Sequence, residues 1–191
     1  MDAIDLDPGA YRGTYKLVGG RLPLDLVNTI SWPDTPRAHD WLDSPRNIRG
    51  WLRAVGLPAP ADEVDVAAVH DVRSLLAAVL RPMAHGESPS AAAVARLSEA
   101  IGDASGRRVI DPDSLGWRWI APVTIHDALA PVLLDAADLV TAGQRERLRY
   151  CPSCDWLFED QTRNGQRRWC DMADCGSRDK AKRYYRRSKS G

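Results

Sequence analysis

The chain has 191 residues, no formal net charge, 44% hydrophobic and 27% charged residues. That is enough apolar material for a packed core, which excludes disorder throughout, and no run approaches the roughly 20 consecutive apolar residues of a membrane helix. The acidic start Met1-Asp2-Ala3-Ile4-Asp5-Leu6-Asp7 lacks the basic-then-apolar layout of a secretory signal, so a soluble cytoplasmic protein is expected.

The first forty residues are punctuated by Gly19-Gly20, Pro23, Pro33 and Pro36 and read as loop-rich. Between them Leu22, Leu24, Leu26, Val27 and Ile30 form an apolar run broken by Asp25, Asn28 and Thr29. Periodicity does not separate strand from helix over so short a run, and a short helix is preferred. Ser44-Pro45 reads as an N-cap followed by proline at the first helical position, with Ile48, Trp51, Leu52 and Val55 at helical spacing before Gly56. A longer helix is expected from about Asp62 to His85, burying Val66, Val69, Val72, Leu75, Leu76, Val79 and Leu80, with Pro82 and Gly86 helping to end it. An alanine-rich helix follows from near Ser90, carrying Val94, Leu97 and Ile101. Arg108-Val109-Ile110, a turn at Asp111-Pro112-Asp113-Ser114, and Trp117-Arg118-Trp119-Ile120 predict a β-hairpin. A fourth long helix is expected over about 124–142, with Gly143 as its stop.

The domain boundary is placed at Gly143-Gln144. Residues 1–143 read as a mainly helical domain with one hairpin. Residues 144–191 carry 13 Lys and Arg against 7 Asp and Glu, while the rest of the chain holds 13 against 19. All four cysteines fall in this basic part, which is too small to rely on an apolar core alone.

Cys151, Cys154, Cys170 and Cys175 follow the spacing C-x2-C-x15-C-x4-C. Zinc takes four thiolates tetrahedrally, and close cysteine pairs reach one ion from tight turns. Structural disulfides and a redox C-x-x-C are the alternatives. The first suits an oxidising compartment, and the second needs a βαβ context that is missing here. One structural Zn2+ is expected, with no open coordination position for water or substrate. Between the pairs, residues 157–160 and 166–169 are read as a hairpin turning at Arg163-Asn164-Gly165. Ser177 is read as the cap of a helix from Arg178 to about Ser188. Knuckle, hairpin and helix in this order match a treble-clef-like arrangement.

These residues carry a resemblance. Cys151-Pro-Ser-Cys154-Asp-Trp156-Leu-Phe158-Glu-Asp160, Arg167-Arg168-Trp169-Cys170 and Cys175-Gly176-Ser177-Arg178 resemble the CGNR zinc-finger family, with Ser177 in place of the asparagine of the family's name. Leu24-Asp25-Leu26-Val27-Asn28-Thr29 is similar to the motif that opens the accompanying ABATE domain, with Leu26 where phenylalanine is usual. The resemblance spans nearly the whole chain and implies a bacterial, stress-related transcription regulator.

On the terminal helix Ala181, Tyr184, Tyr185 and Ser188 share one face, expected to pack on the zinc core or the larger domain. Arg178, Lys180, Lys182, Arg183, Arg186, Arg187 and Lys189 occupy the rest, and Arg163, Arg167 and Arg168 come from the hairpin. Such a surface suits DNA phosphates. The bland alternative is a solvated helix, or a patch docked on the acidic first domain. Trp156 and Trp169 are read as packing around the zinc. In the first domain Asp25, Asn28, Thr29 and Trp32 are candidates for a small-molecule effector pocket. The alternative, that Asp25 and Asn28 tie down loops through backbone groups, is preferred. His39, His70, His85 and His126 show no ligand spacing, and no catalytic motif is present, so the chain is not read as an enzyme. A DNA-binding regulator is the leading reading. A zinc-stapled protein-interaction or RNA-binding module comes second, and a small-molecule-binding enzyme with an appended finger third.

Overall fold

The computed structural model describes residues 3–141 and 145–189, with the side chain of Arg187 outside the described set. The Gly143-Gln144 boundary also lies outside the described residues. Six helices carry the architecture: α1 (Leu22–Val27), α2 (Pro45–Ala54), α3 (Val66–Ala84), α4 (Ala91–Ser105), α5 (Ile125–Thr141) and α6 (Ser177–Lys189). Three two-stranded antiparallel pairs accompany them: β1 (Ile30–Ser31) with β2 (His39–Asp40), β3 (Arg108–Ile110) with β4 (Trp117–Trp119), and β5 (Leu148–Tyr150) with β6 (Leu157–Glu159).

The helices begin where a side chain satisfies the orphan N–H groups of a first turn. The cap of α2 is Ser44, which accepts from Asn47 N at 3.4 Å; Asp65 and Ser90 do the same for α3 and α4 at 3.2 Å each. At α5 the cap is reciprocal: Thr124 N donates to Asp127 at 2.8 Å while Asp127 N donates back to Thr124 Oγ1. The first turn of α1 has no cap from its own side chains. Asp135 on α5 supplies one, accepting from Leu22 N at 2.9 Å and pairing with Arg21 at 2.6 Å. Pro82 lies inside the last turn of α3, and Gly86, at φ +79°, takes the left-handed residue that turns the chain away.

At the centre α3 packs against α1, α4 and α5. Trp41, Trp51, Tyr15, Leu24, Leu26 and Leu76 are buried around it. On α4, Leu97 and Ala104 carry the packing, while Val94 is exposed at 39%. The predicted hairpin forms as β3–β4, with Trp117, Leu115 and Ile110 facing solvent. Arg73 is buried on α3 and reaches Asp40 bidentately at 2.5 and 2.6 Å, with Thr29 Oγ1 at 3.0 Å. Burial alone would raise the Asp40 pKa; the Arg73 hydrogen bonds and charge outweigh it and hold the carboxyl below its ordinary value.

The hairpin of the C-terminal segment differs from expectation. Residues 157–159 pair backwards with 148–150, so the hairpin encloses the first cysteine pair, and 166–169 are not a strand. Asp160 is the reason. It is fully buried and accepts from Thr162 N, Thr162 Oγ1 and Arg167 N at 3.0, 2.6 and 2.7 Å, which draws the following loop into an Asx turn instead of a ladder. The strand β6 also lies against α1: Glu159 N donates to Gly19 O at 2.8 Å, and Trp156, Leu157 and Phe158 join the same core as α1 and α3.

Candidate metal centre and basic surface

The first cysteine pair sits on the tip of the β5–β6 hairpin. Cys151 N donates to Trp156 O and Asp155 N to Cys151 O, both at 2.8 Å, closing a tight knuckle in which Asp155 takes φ +62°. Arg81 from α3 pins that residue, donating to its carboxylate at 2.6 Å. In the second pair Cys170 precedes, and Cys175 lies within, a wide helical turn, Met172–Gly176, whose start is capped by Asp171 accepting from Ala173 N at 2.7 Å. Arg167 fixes the approach to this turn: its guanidinium donates to the carbonyls of Trp169 and Cys170 and lies 4.7 Å from the Phe158 ring centroid.

The four sulfurs all lie within 4.8 Å of one another. Cys154 is 3.5 Å from Cys170 and 3.6 Å from Cys175, and the last two are 3.7 Å apart. A tetrahedron with Zn–S bonds of about 2.3 Å has edges of about 3.8 Å, so the set fits one Zn2+. The spacing is that of ligands around an ion rather than of bonded sulfur pairs. Cys151, Cys170 and Cys175 are buried, and four thiolates close the coordination sphere, which makes the zinc structural.

The proposed nucleic-acid contacts separate into two groups. Arg167 is engaged inward by the carbonyls above. Arg163, Arg168, Arg178, Lys180, Lys182, Arg183 and Arg186 are exposed; Arg168 lies over Trp169, and Arg183 pairs with Asp179 one turn earlier at 3.0 Å. Arg187 falls on a side chain outside the described residues. The face formed by Ala181, Tyr184, Tyr185 and Ser188 was expected to be covered and is not. All four are exposed, Tyr184 at 71% and Tyr185 at 67%.

Asp25, Asn28 and Thr29 are buried with their polar atoms committed. Asp25 accepts from Gly19 N at 2.8 Å, an approach so close that a Cβ on Gly19 would meet Asp25 N at 2.9 Å. Burial pushes the Asp25 pKa up to about 7, against the opposing backbone hydrogen bonds from Gly19 and Val18. Asn28 Nδ2 donates to Leu157 O at 2.8 Å, and Leu157 N donates to Asn28 Oδ1 at 2.7 Å. Thr29 Oγ1 donates to Leu26 O and accepts from Arg73. Trp32 stands apart from these three. It lines a cleft of about 600 Å3 together with Tyr11, Arg12, Lys16, Arg37 and Arg178, bordered by Cys154, Cys170 and Cys175. Trp41 and Trp51 are buried in the core. The cleft residues come from distant segments and share no spacing, so no sequence pattern marks them.

No helix among the described residues is long and apolar enough to cross a membrane. No curated protein matches the chain. Residues 147–188 match the CGNR zinc finger, in agreement with the sulfur geometry. Residues 20–143, more than half of the chain, match ABATE, described as a "putative stress-induced transcription regulator". The chain therefore belongs to the ABATE family and bears a CGNR zinc finger behind that domain.

Proposed function

We propose that this chain is a cytoplasmic DNA-binding transcription regulator without catalytic activity, in which residues 1–143 sense a small-molecule effector and residues 144–191 form a zinc-stapled, treble-clef-like DNA-binding unit. The observation that carries this reading is α6. Apart from Asp179, every described side chain on it is exposed, so Lys180, Lys182 and Arg183 present positive charge at the surface beside two exposed tyrosines. Clustered Arg and Lys on an exposed helix suit a polyanionic partner. The family description agrees with a regulator.

Zinc serves this function by holding the knuckle and the turn before α6 together. The test is a salt titration of duplex DNA binding, followed by fluorescence anisotropy with metal-loaded protein and a random-sequence pool. About six neutralised phosphates give a slope of log K against log salt near about −5. Lys182→Ala with Arg183→Ala lowers both the affinity and the slope, by about 2 in the slope. Affinity that is flat with salt rules the reading out.

A second reading has one specific observation in its favour. Tyr184 and Tyr185 meet edge to face with centroids 6.1 Å apart, both exposed, as stacking platforms for single-stranded RNA are. Tighter binding of unstructured RNA than of duplex, lost in Tyr184→Ala, selects that reading.

A further inference from the structure

The cleft beside the metal centre brings the N-terminal stretch 10–18, the end of β1 with the loop after it, and the start of α6 against the cysteine knuckle and the turn over 170–175. Its volume of about 600 Å3 suits a ligand of metabolite size. Tyr11 and Trp32 supply aromatic surface, and Arg12, Lys16, Arg37 and Arg178 supply positive charge.

These cations are not equivalent. Lys16 Nζ lies 2.6 Å from Asp174 and 3.3 Å from Asp171, which line the same cleft and together outweigh its charge. Among the described residues, no carboxylate pairs with Arg12, Arg37 or Arg178. Arg37 and Arg178 instead lie against the same indole, 4.3 and 5.3 Å from the ring centroid of Trp32. Two guanidinium groups gathered on one ring raise the local positive potential, which an anion bound beside them lowers. Trp32 is held at φ +53°, a left-handed backbone that a bulky residue rarely takes, and its Nε1 donates to Tyr11 Oη at 2.9 Å. Strain of this kind clusters at ligand clamps, where the surroundings hold it in place.

We infer that the cleft binds a small planar organic anion, an aromatic carboxylate or phosphate ester, with its charged group held by Arg37 and Arg178. With Zn2+ bound, four thiolates leave the metal centre at −2. Cys154, Cys170 and Cys175 border the cleft, so this field keeps the anionic group on the arginine side and leaves the sulfur side to the uncharged ring. Arg178 also opens α6, so an occupied cleft withdraws a cation from the proposed DNA-binding helix. That regulatory half rests on the DNA-binding reading; ligand binding itself does not.

The experiment titrates 2-naphthoate, 2-naphthyl phosphate and the neutral 2-naphthamide into the zinc-loaded full chain by calorimetry. At least one anion binds tenfold or more tighter than the amide, and Arg37→Gln and Arg178→Gln each weaken it by about tenfold or more, with zinc content and far-UV circular dichroism unchanged. Arg53→Gln, on the exposed end of α2, binds as wild type. The tighter of the two anions names the headgroup. In a parallel arm, saturating anion weakens duplex binding by wild type but not by Arg37→Gln, which keeps Arg178 for DNA. Equal binding of the amide, no binding of either anion at millimolar concentration, or indifference to both glutamine variants overturns the inference. Anions that fail while Arg37→Gln weakens DNA binding also overturn it, placing DNA in the cleft. Absence of DNA binding with intact calorimetry removes only the regulatory half.

Discussion

Asn28 makes a strand contact out of a side chain. Its amide exchanges two hydrogen bonds with the backbone of Leu157, at 2.7 and 2.8 Å, as a residue in an antiparallel pair would. Both residues are fully buried, so water does not replace either bond. Asn28→Ala therefore leaves one N–H and one C=O of β6 orphaned. Each such group costs about 1–3 kcal/mol, and with partial relaxation the pair amounts to about 3 kcal/mol. That is a large share of a typical stability of about 5–15 kcal/mol. Asn28→Asp keeps the acceptor but faces a carboxylate to the Leu157 carbonyl, and it destabilises at least as much. Leu157 lies three residues beyond Cys154, so the same substitution hastens zinc release. Urea unfolding of the zinc-loaded chain measures the first effect, and transfer of zinc to a chromophoric chelator the second. Asn164→Ala, in the exposed turn of the following loop, stays within about 0.5 kcal/mol of wild type. An Asn28→Ala variant equally close to wild type, with zinc release unchanged, would show that the amide is no strut.

Other consequences are as direct. The Asp25 carboxyl, at about 7 in the folded chain against 3.8 ordinarily, binds protons more tightly when folded, so its contribution to stability is lost as pH rises from about 4 to about 7. Asp25→Asn keeps the acceptor for Gly19 N, and its stability relative to wild type increases across that window; a difference independent of pH contradicts the assignment. Arg73→Met strands Asp40 and costs about 3 kcal/mol in urea unfolding, whereas a change below 1 kcal/mol would show that Asp40 is solvated without its partner. Chelation of zinc unfolds the knuckle and the turn before α6, exposes Trp156 to solvent and removes duplex binding; a red-shifted tryptophan emission that reverses on adding Zn2+ is the readout.

What the sequence discloses depends on whether the determinant is local. Ser44, Ser90 and the cysteine pairs act within a few residues, and each works as its spacing predicts. The β5–β6 pairing was not legible because three-residue strands carry no periodicity, and its register comes from the knuckle that closes it. Residues 166–169 have the composition of a second hairpin arm, but buried Asp160 takes the donors of that loop. Helical spacing correctly places Tyr184 and Tyr185 on one face of α6; it carries no information on whether anything covers that face. Asn28 and Asp25 were legible as polar interruptions, while their partners, 129 residues away for Asn28, were not.

The two halves of the metal centre are anchored differently, and this gives a further prediction. The first cysteine pair is built into the core through Trp156, Leu157 and Asn28, whereas the second is tethered to the N-terminal segment by Lys16, whose pairs with Asp171 and Asp174 are partly exposed. The Lys16 ammonium is held charged above its ordinary pKa, chiefly by the Asp174 hydrogen bond. Lys16→Met keeps the apolar stem and removes the tether, at a global cost of at most about 1 kcal/mol because such pairs are screened. Its effect is local: amide hydrogen exchange over 171–177 accelerates while that of Leu157–Glu159 stays at the wild-type rate. The proposed DNA-binding helix begins within that turn, so the orientation of α6 against the ABATE domain loosens although the core does not. Exchange that quickens equally in both segments would mean that the centre opens as a single unit, and that Lys16 is a brace for the whole finger rather than for its second pair.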